Sequence, residues 1–112
     1  MKYDAKYFIK KFDKIPEDKW FNKKYHNEEK TKFCAFGHCG GVPDIGIFNS
    51  QEALALQDLF NRNHLLVHKI NDGEVIGYCF AYNVNAKDLG DTPKERILNT
   101  LVLIDSGILN EN

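Results

Sequence analysis

The 112-residue chain contains no uninterrupted apolar run approaching the roughly 18 residues that a membrane-spanning helix needs, because Lys, Asn or Asp breaks each run within a few positions. A membrane association is therefore not expected. Cysteine is scarce and odd in number, with Cys34, Cys39 and Cys79 alone, which argues against a disulfide framework and for reduced thiols. The first residues, Met1-Lys2-Tyr3-Asp4, lead into an amphipathic segment rather than an apolar export signal, so the expected location is cytoplasmic. Low-complexity segments and internal repeats are also lacking. With 43% hydrophobic, 12% aromatic and 28% charged residues, disorder is not the expectation, and 112 residues suffice for one core. The chain reads as a single compact domain over residues 1–112.

Charge of neither sign dominates: the net is -1, but its distribution is uneven. Residues 1–32 hold ten lysines against six acids, and the rest hold five basic residues against ten acids. The lysines are interleaved with Asp4, Asp13, Glu17, Asp18, Glu28 and Glu29, which fits a solvated face rather than a nucleic-acid surface.

Local signals describe an α+β, helix-dominated domain. Asp4 is placed to cap a helix running to about Lys14, with Ala5, Phe8, Ile9 and Phe12 as its apolar stripe. Pro16 ends it and opens a short turn closed by an inward-packed Trp20. Residues 22–32 are almost wholly polar and read as an exposed loop. Gly37, Gly40, Gly41 and Pro43 mark a turn-rich stretch, within which Cys34 to His38 is also compatible with one helical turn. Asn49 and Glu52 have capping-box spacing for a helix over about 50–62, with Ala53, Leu56, Leu59 and Phe60 on one face. Leu65–Ile70, the turn residues Asn71-Asp72-Gly73 and Glu74–Phe80 predict a β-hairpin over about 65–83. Thr92-Pro93-Lys94-Glu95 combines a capping box with proline at the first helical position. The helix it opens has Ile97, Leu98, Leu101, Val102 and Ile104 as its expected buried face and Gly107 as a left-handed cap.

Candidate chemistry centres on Cys34. A histidine four residues on, His38, shares its face if the segment is helical, and an imidazolium there would favour thiolate. The order Cys34, His68, then Asn71 or Asp72 is also that of papain-like enzymes, with histidine as base and an amide or carboxylate to orient it. Each of these residues also has a bland reading. Buried small residues explain Cys34 and Ala35, turn chemistry explains Asn71-Asp72-Gly73, and core packing explains Tyr78, Phe80 and Tyr82. The spacing of Cys34, His38 and Cys39 matches no familiar zinc knuckle, so neither metal nor cofactor is expected.

Four segments carry a family resemblance: Ile15-Pro16-Glu17-Asp18-Lys19-Trp20, Cys34-Ala35-Phe36-Gly37, Ile70-Asn71-Asp72-Gly73 and Thr92-Pro93-Lys94-Glu95-Arg96-Ile97-Leu98. Together they resemble the bacterial and phage domain-of-unknown-function family 6197, short helix-rich proteins with a Cys-Ala-Leu-Gly element, an Asn-Asp pair and a closing helix opened by threonine. The chain departs from that pattern at Phe36, which replaces leucine, and in a longer insertion between Asp72 and Thr92. The resemblance implies one shared site joining Cys34 to Asn71 and Asp72, and it implies no activity.

The leading expectation is a small protein that binds a small polar, nucleotide-like ligand through Trp20, Phe36, His38, Asn71, Asp72 and Arg96, its sharpest form being phage-type sequestration of a signalling nucleotide. The alternatives are a cysteine-dependent hydrolase or transferase using Cys34 with His38 or His68, and a protein-interaction module. A homo-oligomer is compatible with each.

Overall fold

In a computed structural model, the chain is described over residues 3–22, 24, 26–40, 50–63, 65–73, 75–76 and 84–108. Five α-helices dominate: α1 (Ala5–Asp13), α2 (Ala35–His38), α3 (Gln51–Asn61), α4 (Val67–Asp72) and α5 (Pro93–Asp105). Short 3-10 turns cover Glu17–Lys19 and Ala86–Leu89, and β1 (Val75–Ile76) pairs antiparallel with β2 (Val84–Asn85).

Helix α5 is the organising element, packing along α1 and against α4. Its start follows from sequence: Pro93 needs no hydrogen-bond acceptor at the first position, and the Thr92 hydroxyl accepts the Glu95 N–H at 3.2 Å. Ile97, Thr100, Leu101 and Ile104 turn inward. Thr100 is accommodated because its hydroxyl donates to the Arg96 carbonyl at 2.8 Å, one turn back. Val102, expected inside, is instead 51% exposed. Helix α1 starts where Asp4 accepts the Tyr7 N–H at 2.9 Å and buries Ala5, Phe8 and Phe12. Phe8 stacks on Phe12 at 5.8 Å, and Phe12 meets Trp20 edge-on at 5.2 Å, so aromatic pairs continue the core into the turn after Pro16.

Two further sequence expectations need correction. The cap of α3 is Ser50, whose hydroxyl accepts the Ala53 N–H at 3.1 Å and donates to the Cys39 carbonyl at 2.5 Å; Asn49 lies outside the described residues. The predicted hairpin loses its first arm and its turn, because Val67–Asp72 is helical. The buried positions Val67, Ile70 and Asn71 follow i, i+3, i+4 spacing, and Gly73 at φ 75° is a helix cap rather than a hairpin turn residue. Of the second arm, Val75–Ile76 does pair, with Val84–Asn85. Residues 77–83, including Tyr78, Cys79, Phe80 and Tyr82, lie outside the described residues, as do Gly41 and Pro43.

Candidate functional site

The Cys-Ala and Asn-Asp elements do meet, through the Asn71 side chain and the Ala35 backbone N–H. Asn71 is fully buried. Its Oδ1 accepts the Ala35 N–H at 3.1 Å, and its Nδ2 donates to the Phe21 carbonyl at 2.9 Å and to Asp72 Oδ1 at 3.1 Å. Both ends of the amide are thus committed to holding α2 and the Trp20–Phe21 segment against α4. Arg96 completes this frame. Nε donates at 2.9 Å to the Ile70 carbonyl, which also accepts the Gly73 N–H at 3.3 Å, and Nη2 donates to the Asn71 carbonyl at 2.7 Å, so both bonds gather at the carboxyl end of α4, while Nη1 donates to the Gly90 carbonyl at 3.3 Å. Burial lowers the guanidinium pKa, against the opposing pull of Asp72, Asp91 and Glu95. A Cβ on Gly73 would sit 3.2 Å from the guanidinium carbon, so glycine there serves both the left-handed backbone and the close approach of Arg96.

Trp20 and Phe36 are core residues, 5% and 7% exposed, and offer no open face on which a ligand ring can stack. Cys34 caps α2, its sulfur accepting the Gly37 N–H at 3.4 Å. Burial pushes its thiol pKa up, outweighing the hydrogen bonds from Gly37 and Phe36, and the nearby Asp72 carboxylate adds to the rise. His38 lies between Trp20 and Phe33, with ring centroids at 4.7 and 5.4 Å. Burial brings its pKa down to about 4; the Lys19 carbonyl opposes this and Lys11 reinforces it. Near neutral pH, Cys34 and His38 are therefore thiol and neutral imidazole, the opposite of an activated pair. His68 is exposed on α4. His38 Nε2 is buried without a hydrogen-bond partner among the described residues. No group of three or more His, Cys, Asp or Glu side chains among the described residues is arranged to hold a metal ion.

A second polar cluster joins α1, α2 and α3. Glu52 accepts the Tyr7 hydroxyl at 2.6 Å and pairs with Lys11 at 2.7 Å. The hydrogen bond to Glu52 raises the Tyr7 pKa to about 12. Burial and the neighbouring Glu52 carboxylate raise that of Cys39. Burial works to raise the Glu52 pKa, but Lys11, Tyr7 and Cys39 bring it net below the usual carboxylate range.

Among the described residues, a cleft with room for a ligand lies in the segment expected to be a plain exposed loop. Phe21 N–H donates to the Phe33 carbonyl and Phe33 N–H to the Lys19 carbonyl, each at 2.9 Å, closing the neck of an Ω-type loop. Asn27 organises the interior. Its Oδ1 accepts the N–H groups of Thr31 and Lys32 at 2.9 and 3.0 Å, and its Nδ2 donates to Glu29 and Thr31. His26 Nδ1 lies 2.7 Å from the Asn27 carbonyl, and its ring meets Phe33 edge-on at 6.2 Å. An open cleft of about 430 Å3 is lined by Phe21, Lys24, His26, Asn27, Glu28 and Glu29. The frame reaches this cleft directly, since the carbonyl that Asn71 holds is that of Phe21.

No family model matches the chain, and no curated protein or solved structure does. No described helix is long and apolar enough to cross a membrane.

Proposed function

We propose that the protein binds a small polar ligand in the cleft of loop 21–33, with the Asn71–Arg96 network as the frame that holds the loop rather than as the binding surface. The observation that carries this reading is the 430 Å3 cleft, within the roughly 300–1,000 Å3 usual for small-molecule sites. Its lining suits a nucleotide-like compound: the Phe21 ring for a base, the Lys24 ammonium for an anionic group, and the Glu28 and Glu29 carboxylates for hydroxyl or amine donors. Sequestration of a signalling nucleotide is the sharpest form of this reading, and membership of the 6197 family its proposed ancestry. Native mass spectrometry of the protein incubated with a nucleotide panel tests it. A retained non-covalent mass, lost in a Phe21→Ala, Lys24→Ala double variant, is expected; bare protein throughout would remove the reading.

A second reading, an interaction module or homo-oligomer, draws on Val102 and Ile108, which are 51% and 66% exposed at and beyond the end of α5. A concentration-dependent mass in light scattering, abolished by Val102→Lys, is its expected signature.

A further inference from the structure

His26 carries more information than its place in the cleft wall. The group 2.7 Å from its Nδ1 is the Asn27 backbone carbonyl, which can only accept. Nδ1 must therefore be the donor, and a neutral ring has its single proton there. The other ring nitrogen, Nε2, is left as a bare acceptor. The edge-on contact with Phe33 at 6.2 Å holds the ring plane from outside the cleft lining. Asn27 cannot supplement it, because its amide is spent on Thr31, Lys32 and Glu29. Among the described lining residues, His26 Nε2 and the Glu28 carboxylate offer acceptors, the Glu29 carboxylate already takes the Asn27 amide, and Lys24 offers a cation.

We infer that His26 is the specificity-determining residue of this cleft: its Nε2 accepts a hydrogen bond from an N–H of an aminated heteroaromatic ring laid on Phe21, while Lys24 takes the ligand's anionic group. This rests on the cleft being the binding site and adds the ligand class. A ring that keeps its shape but lacks the N–H leaves the Nε2 lone pair without a partner, and a missing hydrogen bond of this kind weakens binding roughly fivefold.

The test uses the intact protein and two probes, adenosine monophosphate and purine riboside monophosphate, which has the same ring without the 6-amino group. Long-range 1H–15N spectra of the neutral imidazole report which nitrogen carries the proton, and calorimetry compares the probes. The expected result is a His26 protonated on Nδ1, a Nε2 resonance that moves on adding adenosine monophosphate, and weaker binding of purine riboside monophosphate. A ring protonated on Nε2 overturns the inference whatever binds. Equal affinities, or an unmoved Nε2 resonance on binding, overturn it while leaving the cleft as a binding site. Failure of both probes to bind at millimolar concentration removes the inference and the nucleotide-like reading together.

Discussion

Asn71 Oδ1 accepts the Ala35 N–H at 3.1 Å across 36 residues of chain, while the same side chain donates to the Phe21 carbonyl at 2.9 Å. One buried amide thus ties three segments together, and its replacement leaves a buried donor and a part-buried acceptor unpaired. Asn71→Ala is expected to destabilise the protein by about 3 kcal/mol, given roughly 1–3 kcal/mol per orphaned group. Urea denaturation measures this; a change below about 0.5 kcal/mol contradicts the frame.

Arg96 is expected to resist its conservative replacement. A lysine ammonium cannot reproduce the fork that serves the Ile70 and Asn71 carbonyls together, so Arg96→Lys should cost roughly 2 kcal/mol. Thermal unfolding of that variant should show the loss without any ligand present, which separates framing from ligand binding.

Cys34 is expected to be chemically quiet. Cys34 is buried, its sulfur caps α2, and burial holds the thiol pKa up, so alkylation by iodoacetamide in the native protein should be much slower than in denaturant. Rapid native alkylation at neutral pH, with Cys34 identified by peptide mapping, restores the cysteine-enzyme reading.

His38 makes stability depend on pH. Its pKa is lowered from the ordinary 6.5 to about 4 in the folded state, so the unfolded chain binds the extra proton between those values. The contribution is complete above pH 6.5 and is lost as pH falls towards 4. After discounting the shift for a partly exposed ring, it is about 2 kcal/mol. His38→Phe should flatten the stability profile over that window; parallel profiles for the two proteins contradict the assignment.

Much of the helical scaffold was legible because its signals are local. Asp4 and Thr92-Pro93 cap the helices they were expected to cap, and the Phe8–Phe12 stripe and Trp20 face inward as their spacing requires. The hairpin was misread because Asn71-Asp72-Gly73 serves equally as a hairpin turn and as the end of a helix. The deciding partner, Arg96, lies 26 residues from Ile70 and leaves no local trace. The same distance hid the role of Asn71, whose type pointed to a ligand while its surroundings assign it to the frame. The cleft escaped because a polar loop reads as solvent-exposed. Its one local signal is Asn27, four residues before Thr31, a spacing at which an asparagine side chain can organise its own loop.

The most direct test of the account is a 1H–15N titration of the labelled protein with adenosine monophosphate, mapped residue by residue. Binding in the cleft predicts shifts concentrated on Phe21, Lys24 and residues 26–29, with the amides of Cys34, Asp72 and Arg96 little changed. Shifts concentrated on Cys34, Asn71, Asp72 and Arg96 instead, or a spectrum that does not move at millimolar nucleotide, would contradict it.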